Sequence, residues 1–222
     1  ALAGDATLAN GRVAALQIDG VINAAWFGAV GDYDRFGDTG TINTSFFQDA
    51  INRIQSTQIN NTEGALISDE FNTIYVPAGQ YLSGGLVITN GAIKFIGDGV
   101  GSTAMLDNSV SGWLFDFDGA LSGGGFSSYV GVESMQIGVR LGIEKISEGF
   151  IRLNNEFDFL LKDLFLSDAF DGVSFEGTTG YGDAVNIKAY SFRRTLQGGD
   201  FLRVNGSTNI KFDRCDCKSQ NA

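Results

Sequence analysis

The chain has 222 residues, with 26 Asp or Glu against 15 Lys or Arg, a formal net charge of −11, and no histidine. The missing imidazole excludes a Ser-His-Asp triad, a Cys-His pair and a histidine metal site, and the acidic balance disfavours nucleic acid or an anionic membrane as a partner held by bulk charge. No segment approaches the roughly 18 apolar residues of a membrane helix, and a hydrophobic fraction of 43% is that of a globular chain.

In chain order, nothing distinctive marks the residues before Trp26. The first periodic segment has Phe46, Phe47, Ala50, Ile51 and Ile54 at i, i+1, i+4, i+5 and i+8. This spacing predicts an amphipathic helix over residues 44–56. Thr44 or Ser45 is placed to cap it, Ser45 to Gln48 has capping-box spacing, and Asp49 suits its positive end. Gln55 to Gly64 is polar and reads as a loop. Beyond it, 31 glycines and one proline punctuate short runs rich in Val, Ile, Phe and Leu, the pattern of an all-β chain.

The strongest internal signal is a repeat. Phe150-Ile151-Arg152-Leu153-Asn154 returns as Phe201-Leu202-Arg203-Val204-Asn205, 51 residues on. The alignment continues without a gap, pairing Phe159 with Ile210, Leu161 with Phe212, Leu164 with Cys215 and Leu166 with Cys217. Val173-Ser174-Phe175 and Ile187 to Phe192 lie halfway between. Strands ending at Ile137, Leu166, Phe192 and Cys217 are spaced by 29, 26 and 25 residues. A strand pattern returning about every 25 residues predicts a solenoid of stacked coils. Its strands would pair in parallel, Gly, Asn and Asp would turn its corners, and Phe would stack over Phe in successive coils. The helix would lie as a lid on the N-terminal end. The repeat stops at its last strand without a cap, so the chain is expected to continue beyond Ala222.

Trp26-Phe27-Gly28-Ala29-Val30-Gly31-Asp32 is followed by Gly37-Asp38-Thr39 and the helix, then by Ile74-Tyr75-Val76-Pro77-Ala78-Gly79-Gln80-Tyr81 and Ile93-Lys94-Phe95-Ile96-Gly97-Asp98-Gly99 with Thr103. This ordered set, over residues 26–106, resembles the start of the pectate-lyase-like right-handed β-helix proteins of bacteriophage tailspikes and bacterial exopolysaccharide enzymes. One departure is a single Asp before Thr39, where the family often has two. The resemblance implies an all-β, right-handed parallel β-helix with one N-terminal capping α-helix. Residues 1–25 would be a linker or the end of a virion-attachment region, and 26–222 the cap and first coils. It further implies a homotrimeric tailspike or tail-fibre component in the virion tail, outside the cell. Its partners would be host surface polysaccharide and other tail proteins, without a cofactor, nucleic acid or membrane, and with depolymerase activity as an open question. The alternatives are a non-catalytic structural tail protein and a secreted bacterial polysaccharide lyase or glycoside hydrolase.

No catalytic residue can be named from the sequence. Carboxylates are the available acids and bases, and a glycosidase needs two of them. The candidates are Asp116, Asp118, Asp163, Asp168, Asp171, Glu176, Asp183, Asp213 and Asp216. Lys188, Arg193 and Arg194 are the cations a lyase could use. Trp113, Tyr181 and Tyr190 are candidate sugar platforms. Asp32, Asp34, Gly37 and Asp38 are spaced like the start of a calcium loop, but Asn43 stands at position 12 in place of the bidentate Glu, so no metal is expected there. Gly97 to Thr103 reads as a tight corner. Cys215 and Cys217 are expected to be core thiols, both facing inward.

Overall fold

A computed structural model describes residues 6–7, 13–14, 20–56, 59–60, 66–67, 72–89, 92–119, 127–143, 145–168, 171–190 and 200–218. Arg193 and Arg194 lie outside the described residues. Apart from one α-helix and a short 3-10 turn at Ala24–Phe27, the described elements are strands.

The strands stack in parallel, and the repeat sets their register. In a five-stranded sheet, Leu86–Ile88, Phe115–Asp118, Gly149–Asn154, Asp171–Glu176 and Leu202–Asn205 lie side by side, so that Ile151 pairs with Val173 and Val173 with Leu202. In a twelve-stranded sheet, Ile93–Gly97, Gly131–Val139, Leu160–Ser167, Gly180–Tyr190 and Thr208–Asp213 follow one another. The chain alternates between the two sheets and returns to each one layer further on. The aligned positions are Ile137, Leu166, Ala189 and Cys217, at offsets of 29, 23 and 28. The third position is therefore Ala189; Phe192 lies outside the described residues. Val21–Asn23 already pairs with Thr73–Tyr75, so the stack takes in residues ahead of Trp26.

Three columns of left-handed residues turn the chain. Tyr129, Asp158, Tyr181 and Asn209 have φ of +64°, +52°, +56° and +56° and fall at one corner of successive layers, each two residues before the paired row Gly131, Leu160, Asp183, Lys211. Ser134, Asp163, Asn186 and Arg214 form a second column that bends the long strands in the middle. Asn155, Gly177 and Gly206 form a third, just after the five-stranded sheet. The second column explains a detail of the repeat. Buried positions run 159, 161, 164, 166, and the step of three between Leu161 and Leu164 contains the left-handed Asp163. A strand alternates faces every residue, and the bend resets that alternation so both halves keep their apolar side chains inside. At Gly177 a Cβ would stand 2.3 Å from Asn155 Oδ1, which accepts bonds from the Thr178 N–H and hydroxyl at 2.8 and 2.9 Å. Only glycine fits that corner without breaking the Asn155 turn.

The core runs through the middle of the stack. Phe95 meets Phe115 edge-on at 5.0 Å, and Phe175 touches both Phe159, at 5.3 Å, and Phe212, at 5.7 Å. These rings meet across the interior from opposite sheets. The expected Phe-over-Phe ladder is absent among the described residues, because the register neighbours of Phe115 are Leu86 and Ile151. Buried threonines knit the corners: Thr103 Oγ1 donates toward the Val76 and Pro77 carbonyls, both at 3.2 Å, and accepts from Asp98 N at 2.9 Å. The Gly97 to Thr103 turn is thus a corner, as its sequence suggests.

The helix is Thr44–Gln55 and buries Phe47, Ala50, Ile51 and Ile54 on the core. Its capping differs from expectation. Asn43 is the cap residue, without a side-chain capping bond, and no acidic residue lies in the first turn. Asn43 is fully buried and instead ties the incoming chain, accepting from Val30 N at 2.7 Å and donating to the Val30 and Thr41 carbonyls. Thr44 Oγ1 accepts from Gly84 N at 2.6 Å. Gln48 pairs with both the N–H and C=O of Val87, so it closes the edge of the first strand of the five-stranded sheet.

The Asp32, Asp34 and Asp38 carboxylates face separate partners. Asp32 accepts from the Thr41 N–H and hydroxyl, both at 2.8 Å, Asp34 from Phe36 N, and Asp38 from Tyr33 OH at 2.9 Å and Arg140 Nε at 2.8 Å. The Thr41 bonds hold Asp32 below the usual aspartate range, and Arg140, then Tyr33, do the same for Asp38. A carboxylate with a depressed folded pKa adds stability above its unfolded value, about 4, and that stability is lost as pH falls through the folded value. Amide exchange over residues 30–42 is therefore expected to accelerate ahead of the coils below about pH 4, and Asp38→Asn should weaken that acid step. Uniform loss of protection across the chain would contradict it.

Candidate functional site

The structure sorts the sequence candidates into three places. The first is the outer face of the five-stranded sheet. Its register rows are Asp116, Arg152, Ser174, Arg203 and Asp118, Asn154, Glu176, Asn205. Arg152 binds Asp116 through Nε at 2.6 Å and Nη2 at 3.2 Å, and Asp118 through Nη2 at 2.7 Å. Asp171 is buried and faces Arg203 at 2.8 Å, and Ser174 Oγ donates to Glu176 at 2.9 Å. Burial pushes the Asp116 and Asp171 carboxyls above the ordinary aspartate range, against the pull of Arg152 on the first and of the Asp200 N–H and Arg203 on the second. Four candidate carboxylates thus converge here, but a guanidinium fills the space between Asp116 and Asp118. This face is an ion-pair ladder holding neighbouring layers together.

The second place is a cleft of about 370 Å³. It lies beside the N-terminal cap, and its lining includes Tyr33, Arg35, Gln80, Gln136, Ser167 and Asp168. It holds one candidate, Asp168.

The third place is a cleft of about 380 Å³ lined by Lys94, Tyr129, Val130, Asp158, Phe159, Leu160, Tyr181, Gly182 and Asp183. Its floor is formed by Lys94, Leu160 and Asp183 of one outward row, in which Gly131 stands between Lys94 and Leu160, and its wall by Tyr129, Asp158 and Tyr181 of the first left-handed column. Glycine is required beneath it for close packing: a Cβ on Gly131 would meet the carbonyl oxygen of Leu160 in the next layer at 2.4 Å, and one on Gly182 would strike the buried Phe159 ring at 2.3 Å. Tyr181 is 62% exposed and Tyr129 42%. Phe157 supports Tyr181 with a ring-centre distance of 6.1 Å. Asp158 and Asp183 are exposed, and Lys94 pairs with Glu133 at 2.8 Å.

The tyrosines are the informative feature. Asn and Asp tolerate the left-handed region, and they fill this corner at Asp158 and Asn209. A bulky ring does not tolerate it easily. Two strained aromatics, both exposed and both facing one cleft, are not explained by the backbone, and such strain gathers where a ligand is clamped.

Among the remaining candidates, Trp113 is 6% exposed, so it is a core residue and not a platform. Tyr190 is exposed and lies beside Asp168, which donates its N–H to the Tyr190 carbonyl. Asp163 accepts from Asn186 at 2.7 Å across one layer. Asp213 faces Arg214 at 3.3 Å, and Asp216 and Lys188 are exposed. Cys215 is half-buried, with Sγ 3.4 Å from Ala184 O, while Cys217 is exposed. Cys217 continues the inward row of Leu166 and Ala189, but the described residues place no further layer over it. Tyr129, Asp158 and Lys94 were not singled out from the sequence. Aligning the layers would have found the first two, since both occupy the corner of Tyr181. Among the described residues no group of three or more acidic or thiol side chains is arranged to hold a metal ion, and no helix is long and apolar enough to cross a membrane.

No protein-family model and no curated protein matches the chain. Among solved structures it is similar to ORF18 of Geobacillus virus E2, at 18% identity and a TM-score of 0.54, covering 88% of this chain and 42% of that one. It is similar to an iota-carrageenase complexed to iota-carrageenan fragments, at 14% identity and a TM-score of 0.63, covering 92% and 45%. It is also similar to the A-module of the Azotobacter vinelandii mannuronan C-5 epimerase AlgE6, at 12% identity and a TM-score of 0.54, covering 90% and 50%. At these identities the likeness shows a shared parallel β-helix fold alone. The chain spans half or less of the length of each.

Proposed function

We propose that this chain is part of a right-handed, pectate-lyase-like β-helix that binds polysaccharide in the cleft between Tyr129 and Tyr181. The observation that carries this reading is the pair of exposed tyrosines held in the left-handed region at one wall of an open cleft. The fold likeness supports it, since two of the similar proteins act on polysaccharide by name and a third is a phage protein. Together with the opening motif at Trp26 to Asp32, this favours a bacteriophage tailspike or tail fibre. Such a spike would be homotrimeric, carried among other tail proteins and directed at the surface polysaccharide of its host.

A second reading, cleavage of the bound glycan, is favoured by one further observation. Asp158 and Asp183 come from adjacent layers, about 4.8 Å apart, and line the same cleft. Two carboxylates on either side of a glycosidic bond are what a glycosidase requires. The test is incubation with a panel of purified capsular and O-antigen polysaccharides, following binding, product size and new reducing ends. Binding to at least one is expected. New reducing ends that vanish in Asp183→Asn and Asp158→Asn would establish hydrolysis, and binding without shortening would leave an adhesin. A folded protein that binds none of them would overturn the polysaccharide reading in favour of a structural tail component.

A further inference from the structure

We infer that the glycan this cleft accepts is uncharged and lies along the stacking axis, with Tyr129 and Tyr181 as platforms two layers apart. This rests on the polysaccharide reading above and adds the substrate class and its direction.

The direction follows from the register. Tyr129, Asp158 and Tyr181 occupy one corner in three successive layers, continuing the pairs Ser128 with Phe157 and Phe157 with Gly180. With layers about 4.8 Å apart, the two rings stand about 9.6 Å apart along the axis. One layer is close to the length of a pyranose unit in an extended glycan, so the rings are set to meet every second sugar. A chain running parallel to the strands would meet one tyrosine and miss the other. The phenol rings offer apolar faces to sugar C–H groups. Asp158, between the rings, and Asp183, on the floor, can accept charge-assisted hydrogen bonds from sugar hydroxyls.

The class follows from the charges. The lining carries two exposed carboxylates, Asp158 and Asp183, and one cation, Lys94, which Glu133 already pairs at 2.8 Å. Lys211 stands one layer beyond Asp183 in the floor row, outside the lining residues. The chain as a whole carries −11. A polymer with a carboxylate or sulfate on each unit would bring like charge against Asp158 and Asp183 with no free cation among the lining residues, an arrangement that rejects partners. Uncharged hydroxyl-bearing sugars meet no such penalty.

The test is native affinity electrophoresis through gels holding neutral polysaccharides (a dextran, a galactan, a mannan and a β-glucan) or polyanions (alginate and polygalacturonate), at low and physiological salt. Retardation is expected in at least one neutral gel and should not change with salt. Tyr129→Asn and Tyr181→Asn, which put a residue the corner tolerates in place of each ring, should each weaken retardation about tenfold. Lys188→Ala, on the exposed face outside the cleft, should leave it unchanged. Retardation by polyanions alone, weakened by salt yet still lost in Tyr181→Asn, would overturn the uncharged class and leave the polysaccharide reading standing. Retardation untouched by both tyrosine variants would overturn the cleft as the site. Folded protein retarded in no gel of either kind would overturn the polysaccharide reading itself.

Discussion

Lys145→Met is expected to destabilise the protein by about 3–5 kcal/mol, a large share of the 5–15 kcal/mol that holds a typical domain folded. Lys145 forms an ion pair with Asp107, and both side chains are 0% exposed. Asp107 ends the strand Thr103–Asp107, and its other oxygen accepts from the Ser109 hydroxyl at 2.5 Å and the Ser109 N–H at 2.9 Å. Lys145 sits in the segment leading into Gly149–Asn154, beside Ile146, whose N–H bonds the Val110 carbonyl at 2.9 Å. The pair therefore ties one inter-strand connection to the next. Methionine keeps the length of the side chain and removes the charge, leaving Asp107 desolvated with neutral donors only. The cost arises from the stranded carboxylate and not from lost attraction alone. For that reason Lys145→Met with Asp107→Leu should recover most of the stability, since replacing both members of a buried pair by apolar groups is often neutral. Urea melts of the two variants decide it. A single variant within about 1 kcal/mol of wild type would mean that water reaches the pair.

None of that was legible in the sequence, and the reason is physical. Asp107 and Lys145 are 38 residues apart and belong to connections whose lengths do not repeat. The stack itself was legible because every layer must bury the same positions. Leu161, Leu164 and Leu166 face inward, and their partners Phe212, Cys215 and Cys217 fall where the 51-residue offset puts them. The helix was legible from its apolar face. Its capping was not, because Asn43, Thr44 and Gln48 bond to Val30, Gly84 and Val87, and such contacts are set by packing between distant segments. The carboxylates show the same division. Residue type marked Asp116 and Asp118 as candidates but could not reveal that Arg152, on the next strand, lies between them. The cleft was half legible. Tyr181 and Asp183 stood out by residue type, whereas Tyr129 and Asp158 acquire meaning only through the corner they share with Tyr181.

The same corner makes a prediction in which stability and binding move in opposite directions. Holding a non-glycine residue in the left-handed region costs about 1–2 kcal/mol, and Tyr129 and Tyr181 are both held there. Asparagine suffers less, because its short side chain can hydrogen-bond locally, and Asn209 already fills the corner one layer beyond Tyr181. Tyr181→Asn gives up a tilted contact with Phe157 at a ring-centre distance of 6.1 Å, worth about 0.5–1.5 kcal/mol at most for an aromatic pair. The relief and the loss are of similar size, so the urea midpoint of Tyr181→Asn should match or exceed that of wild type. The midpoint of Tyr181→Ala, which loses the ring without gaining a tolerant residue, should fall below it. Glycan retention should drop in both. A tyrosine kept for packing would lower stability in both variants and leave retention untouched. A tyrosine kept for ligand would show the split, with the asparagine variant as stable as wild type and blind to the polysaccharide. The strain at Tyr129 and Tyr181 would then be the stability cost of the binding surface, located at two residues in layers whose other corner residues, Asp158 and Asn209, the backbone accepts readily.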